Sequence, residues 1–325
     1  MSDAAHTPRA PRTDAAPRRI GGLTVSPLAL GGSVFGWTAD ERESFAVLDA
    51  YTEAGGTFID TADSYSAWAQ GNSGGESETV IGRWLAARRN RDDVVIATKV
   101  GAHPDRRGLS AATVRVAAED SLRRLGTDRI DLYYTHRDDE SVEVEEIVGA
   151  LDDLVRAGKV REIGASNLSA ERLKASLAFS AREGRARYVA LQPHYSLVSR
   201  DTYEGPLRDA AARHGLAAVP YYALAAGFLT GKYRPGAAAS GPRAGSAARH
   251  LETERGRRVL AALDEVAAAR GADPATVALA WLAARPTVVS VLASARTPKQ
   301  LPPLLAMAGL ALTERETELL ERASA

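Results

Sequence analysis

The sequence has no cysteine. Disulfides, thiolate metal sites and cysteine nucleophiles are therefore excluded. It has no excess of either charge: Lys+Arg and Asp+Glu are both 41, so the formal net charge is zero. Nothing in that balance draws the chain to nucleic acid or to an anionic membrane. No apolar stretch is long enough to span a bilayer. Residues 1–18, rich in Ala, Pro, Arg and Thr, hold no apolar run of the kind a secretory signal requires. They read as a disordered tail ahead of one folded unit over residues 19–325. A cytoplasmic setting is the expectation that fits these absences.

What is present is a large, well-mixed chain. Its 325 residues are 45% hydrophobic and 25% charged, enough for a sizeable core in a globular protein. That length allows two domains, but an α/β barrel of this size also folds as one. A short hairpin is expected around Gly21-Gly22. Eight apolar strands follow, near residues 28–32, 57–59, 94–99, 130–136, 160–166, 188–192, 216–221 and 288–292. Most are followed by a helix. One helix is expected to open at a Thr38-Ala-Asp-Glu41 capping box and to stop at Gly55-Gly56. Another repeats Val144, Ile147, Val148, Leu151, Leu154 and Val155 at helical spacing, so one face packs inward. Further helices are expected at 76–88, 110–125, 169–183, 202–214, 252–270, 274–284, 298–308 and 313–323. A Gly/Ala/Pro/Arg-rich loop at 236–249 has the composition of a lid.

Strand–helix alternation of this kind implies a parallel sheet with crossover helices. A doubly wound sheet is the alternative closure. Three features favour a (β/α)8 TIM barrel with a short N-terminal hairpin and C-terminal helices. There are eight units. Charged residues stand at strand C-termini, where barrel enzymes keep their chemistry. No G-x-G-x-x-G opens the first helix, so the dinucleotide fingerprint of the doubly wound fold is missing.

The chain is organised around Phe58-Ile-Asp-Thr-Ala-Asp-Ser-Tyr65. A strand delivers Asp60 to its end, and Tyr65 follows in a polar loop. An aspartate in that place is by itself usually a turn former. Two later strands end in Lys99 and His136, and a lysine after a Val/Ile run is costly to bury unless paired. Together the four side chains make chemical sense. A free phenol ionises at about 10, too high for acid–base work near neutrality. A neighbouring ammonium favours the phenolate. The aspartate keeps that ammonium charged inside the protein. A neutral imidazole donates a hydrogen bond to a carbonyl oxygen. The set is a proton donor aimed at a carbonyl, with neither nucleophile nor metal.

In these contexts Asp60, Tyr65, Lys99 and His136 resemble the catalytic tetrad of the aldo-keto reductases. Later segments resemble the same family's cofactor contacts, over about residues 20–312. Gly164-Ala-Ser-Asn167 resembles the motif whose Ser166 and Asn167 hold the nicotinamide carboxamide, with Gln192 of Leu191-Gln-Pro-His-Tyr195 beside them. Pro220-Tyr-Tyr-Ala-Leu224 resembles the motif whose aromatic, here Tyr221, stacks on the nicotinamide. Leu224 and the Gly227–Tyr233 segment, including Lys232, resemble the loop over the pyrophosphate. Tyr222 and Ala223 stand where Ser and Pro are commoner. Ala293-Ser-Ala-Arg-Thr-Pro-Lys-Gln300 resembles the segment around the adenosine 2′-phosphate. It places Ser294 and Arg296 at the phosphate, where guanidinium geometry suits, and Gln300 near the adenine. Ala295 replaces a frequent basic residue and Leu304 a frequent polar one. The resemblance implies NADPH rather than NADH.

Phe35, Trp37, Trp68 and Tyr195 lie just past strand ends and are expected to wall the substrate pocket, where aromatics give a large contact area. The main expectation is NADPH-dependent reduction of an aldehyde or ketone. A dedicated keto- or enoyl-sugar reductase is a second enzymatic reading. A slow-turnover NADPH-binding regulatory subunit, like the potassium-channel partners within the family, is a third. The substrate and the oligomeric state are not legible in the sequence.

Overall fold

Side chains alternate across a strand, so residues two apart share a face. That rule builds this molecule's interior. A computed structural model describes residues 18–234 and 244–325. The eight strands are β1 Leu28–Gly31, β2 Phe58–Asp60, β3 Val95–Val100, β4 Ile130–Thr135, β5 Val160–Ser166, β6 Tyr188–Gln192, β7 Ala217–Ala218 and β8 Val291–Ala293. They pair in parallel in the order β7-β6-β5-β4-β3-β2-β1-β8. The two ends of that order meet. Ala218 N donates to Thr287 O at 2.8 Å, Val289 N to Ala218 O at 2.9 Å, and Leu292 N to Pro220 O at 3.1 Å. The sheet therefore closes into a barrel, and the doubly wound alternative falls away.

Inside the barrel one apolar cluster contains Ala29, Phe58, Val95, Ala97, Leu132, Tyr134, Ala190, Val219 and Leu292. The N-terminal hairpin, Arg18–Ile20 and Leu23–Val25, adds Ile20, Leu23 and Val25 to it and so plugs the N-terminal mouth. Two residues further along the same inward faces stand Asp60 after Phe58, Lys99 after Ala97, His136 after Tyr134 and Gln192 after Ala190. The lower barrel is thus packed with hydrocarbon, and the polar groups collect at the C-terminal mouth. Tyr134 fills so much of the interior that Gly164 has to be a glycine. A Cβ there would lie 2.4 Å from the Tyr134 ring.

A larger cluster binds the outer faces of the strands to the helices. The helices are α1 Glu41–Glu53, α2 Glu76–Arg88, α3 Ala111–Leu125, α4 Val144–Arg156, α5 Ala170–Glu183, α6 Pro206–Arg213, α7 Ala244–Glu252, α8 Glu254–Arg270, α9 Pro274–Ala283, α10 Leu301–Leu305 and α11 Glu314–Ser324. No helix among the described residues is long and apolar enough to cross a membrane.

Several boundaries differ from the sequence expectation. The capping box of α1 is Asp40 with Glu43, because Val34 O already holds the Thr38 and Ala39 amides in a tight turn. The helix expected from 202 begins at Pro206, whose fixed φ suits a first turn. Thr253 caps Gly256 N, so the helix expected over 252–270 is α8 from Glu254, and Glu252 ends α7. Of the expected 236–249 loop, residues 244–249 belong to α7. Its earlier part and the expected tail, except Arg18, lie outside the described residues.

Candidate active site

Lys99 is the hub of the barrel mouth. Its side chain is fully buried at the end of β3. An ammonium has three protons to donate, and Nζ finds three acceptors. They are Asp60 Oδ1 at 2.6 Å, the Thr61 carbonyl at 2.7 Å and Tyr65 Oη at 2.8 Å. Burial pushes Lys99 below its ordinary value, and the charge and hydrogen bond of Asp60 oppose that push. Asp60 is also fully buried, and Gln192 Nε2 donates to its second oxygen, Oδ2, at 2.8 Å. The carboxylate is held from both sides and the ammonium on all three.

Tyr65 reaches this centre from the loop after β2. Its hydroxyl oxygen accepts from Lys99, and its O–H donates to Asp60 Oδ1 at 3.4 Å. His136, after β4, stands edge-on to the Tyr65 ring with centroids 5.9 Å apart. Burial, then the positive charges of Lys99 and Arg137, push the His136 imidazole down to about 3. The ring is therefore neutral near pH 7, with one N–H donor and one acceptor nitrogen. Ser64 Oγ lies 3.4 Å from its Nδ1. Chemically the arrangement is a phenol oxygen beside a fixed positive charge, with a neutral imidazole alongside.

Of the residues expected around a cofactor, Ser166, Asn167, Gln192 and Tyr221 are linked to one another at the ends of β5 to β7. Ser166 Oγ donates to Gln192 O at 2.8 Å. Asn167, in a left-handed conformation at φ +51°, donates to His136 O at 2.9 Å and to Ser166 Oγ at 3.0 Å. Tyr221 Oη donates to Asn167 Oδ1 at 2.7 Å, and its ring stacks on His194. The loop after β7 carries Tyr222, Ala225, Ala226 and Gly227 at positive φ. Non-glycine residues adopt that conformation at a cost, and such residues gather where a ligand is clamped. Leu224 and Gly227 lie in this turn, and Lys232 is close by; a Cβ on Gly227 would lie 3.2 Å from Lys232 Nζ.

Ser294, after β8, lies 3.4 Å from Ser33 Oγ after β1. Arg296 N donates to Gln300 Oε1 at 2.8 Å, so Gln300 closes its own segment. Lys232 Nζ lies over the Tyr233 ring, 4.8 Å from its centroid. Ala295 and Leu304 are buried, so both are packing residues. This donor set fits a dinucleotide phosphate: Lys232 stands beside a turn of strained backbone, and Arg296 offers a guanidinium in the segment after β8.

Of the four aromatics expected to wall the pocket, the structure brings Trp37 and Trp68 together near Tyr65. Trp37 and Trp68 meet edge to face at 5.6 Å, and Trp68 stands 6.2 Å from Tyr65 while remaining 54% exposed. Phe35 and Tyr195 are placed apart from them, in the core. Phe35 is fully buried, turned beneath Gly32, and its carbonyl is held by Ser66 Oγ at 2.8 Å. Tyr195 packs on Tyr203 and Trp281, and its hydroxyl donates to Glu204 at 2.6 Å. Each follows a strand end but turns back into the helical layer.

Sequence reasoning also missed partners. The Thr61 carbonyl that takes the third Lys99 proton is backbone and leaves no side-chain trace. Buried Glu78 was discoverable: it shares the inner face of α2 with Ile81 and Leu85 at helical spacing. No group of three or more His, Cys, Asp or Glu side chains able to hold a metal exists among the described residues.

A family model described as the aldo/keto reductase family matches residues 27–325. The chain is 33% identical over 307 residues to Protein tas of Escherichia coli, covering 86% of this chain and 88% of that protein. It is 36% identical over 289 residues to the uncharacterized oxidoreductase YrpG of Bacillus subtilis, with 86% of each chain covered. It is 33% identical over 314 residues to the norsolorinic acid reductase stcV of Emericella nidulans, covering 91% of this chain and 78% of that protein.

Proposed function

The chain belongs to the aldo/keto reductase family, and on that premise we propose that it reduces an aldehyde or ketone to the alcohol, with NADPH as cofactor and Tyr65 as proton donor. One observation carries the assignment: the three-way bonding of the Lys99 ammonium to Asp60, Thr61 and Tyr65. Lys99 donates to the phenol oxygen, and the phenol's own proton, which the 3.4 Å contact directs to Asp60 Oδ1, is the one that turns to the substrate in the reaction. The ammonium charge 2.8 Å away stabilises the negative charge that Tyr65 acquires as it gives up that proton. Asp60 keeps the ammonium charged, and Gln192 holds Asp60. His136, neutral, donates to the carbonyl oxygen and orients it.

When bound, the dihydronicotinamide supplies the hydride. Hydride at carbon and proton at oxygen complete the alcohol. Ser166, Asn167 and Gln192 would hold the carboxamide, and the ring of Tyr221 would lie against the nicotinamide. Leu224, Gly227 and Lys232 would line the pyrophosphate. Ser294 and Arg296 would take the 2′-phosphate, with Gln300 near the adenine. The exposed face of Trp68, with Trp37 behind it, favours a flat apolar carbonyl compound.

The test is NADPH consumption against a panel of aromatic and aliphatic aldehydes, ketones and keto-sugars, with Tyr65→Phe in parallel. Turnover is expected to fall by roughly 10²–10⁴-fold in the variant, while NADPH binding, read by fluorescence titration, stays nearly intact. A variant that retains more than about a tenth of wild-type turnover overturns the assignment of Tyr65.

A further inference from the structure

Behind the mouth of the barrel, between the sheet and the helices, lies a pair of buried acids, Asp63 and Glu78. Glu78 on α2 is fully buried and fully engaged. Arg124 of α3 donates to its Oε2 at 2.7 Å, and Thr98 Oγ1 donates to its Oε1 at 2.5 Å. Asp63 is different. It is 1% exposed, and neither carboxyl oxygen has a hydrogen-bond partner. The Gly101 and Ser64 amides lie close enough to favour its anion, but neither completes a bond. A buried carboxylate without partners is costly, and the usual remedy is to hold a proton. Burial first, then the charge of Glu78, pushes Asp63 up to about 7, against the pull of Arg124.

The position of this acid ties it to Lys99. Asp63 stands two residues before Tyr65, and its backbone N–H donates to the Lys99 carbonyl at 3.3 Å. The charges of Asp63 and Glu78 both act on the Lys99 ammonium, after that of Asp60. The groups facing Asp63 come from every neighbouring element. Lys99 is on β3, Glu78 on α2 and Arg124 on α3. Tyr133 on β4 has a buried hydroxyl that also lacks a partner, and Asp63 adds to the effect of burial in raising it. His103, in the small hairpin after β3, packs against the Gly74 turn beside the Asp63 carbonyl.

We propose that Asp63 is a positioning residue that sets the acid strength of the reductase centre through Lys99. As a neutral acid it leaves the Lys99 charge undivided at Tyr65. As a carboxylate it takes a share of that charge and makes Tyr65 a poorer proton donor. The inference rests on the reductase reading above. Carbonyl reduction therefore declines as Asp63 ionises, and an uncharged Asn in its place removes the decline.

The experiment compares kcat/KM for NADPH-dependent reduction of benzaldehyde across pH in wild type and Asp63→Asn. Wild type is expected to lose about three- to tenfold through neutrality, the factor that a shift of about half to one pH unit produces in a titrating population. Asp63→Asn is expected to keep its low-pH rate through the same range. The same step persisting in Asp63→Asn overturns the proposal. Infrared difference spectra of the wild type from about pH 6 to about pH 8 give a second reading that needs no variant, because ordinary carboxyl groups ionise near 4. A protonated-carboxyl band that disappears over that range supports the proposal, and its absence overturns it. Turnover surviving in Tyr65→Phe would sink the reductase centre and the role of Asp63 with it, while the band would still report the ionisation.

Discussion

The side-chain amide of Gln192 donates to Asp60 Oδ2 at 2.8 Å and so joins the ends of β6 and β2, which stand on opposite sides of the barrel. Both groups are buried. Gln192→Leu leaves that carboxylate oxygen without a donor, a loss of roughly 1–3 kcal/mol for a buried group. The outcome expected is a lower kcat together with a lower unfolding midpoint, beside whatever NADPH affinity is lost. If only the Kd for NADPH moved and kcat held, the amide would serve the cofactor alone.

Lys99 offers a sharper case. Lys99→Met removes the donor shared by Asp60, Thr61 and Tyr65 and leaves the buried Asp60 charge with Gln192 and the long contact from Tyr65, but no countercharge. Removing one partner of a buried ion pair typically costs roughly 3–5 kcal/mol. Chemical denaturation should show a loss of that order, and turnover should fall to the level of Tyr65→Phe. An unchanged midpoint would mean that the pair contributes nothing to the fold.

His136 is set to remain neutral. Its folded value of about 3 lies below the ordinary 6.5, so it binds fewer protons folded than unfolded. Its contribution to stability is complete above 6.5 and is lost as pH falls from there towards 3. In NMR titrations its ring resonances should stay constant between about pH 5 and pH 8. A midpoint near 6.5 would contradict the neutral-imidazole role.

Arg296 separates the two nicotinamide cofactors. A charge-assisted hydrogen bond to phosphate is worth about 1.5–3 kcal/mol. Arg296→Ala is therefore expected to weaken NADPH binding by about 10- to 100-fold and NADH binding far less, as read by titration of each. Equal losses would remove Arg296 from the 2′-phosphate.

The sequence alone determined more of this protein than the identity of four side chains. The order of eight strands and the caps at Ser110, Ser169 and Thr313 follow from local rules. So does the placing of Lys99, His136 and Asp60 just past inward-facing apolar residues, because alternation along a strand is a property of a few neighbouring residues. Tertiary structure decided what local rules do not reach. Barrel closure brought Gln192 to Asp60 and Tyr221 to Asn167, residues 132 and 54 positions apart in the chain. The turns after β1 and β6 swung Phe35 and Tyr195 into the core, and the loop after β2 left Trp68 in solvent. Asp63 sits in an ordinary polar loop motif, and only the helices packed over it make it a buried, unpaired acid. Burial and partners are set by distant segments, and they decide which of the candidate residues meet.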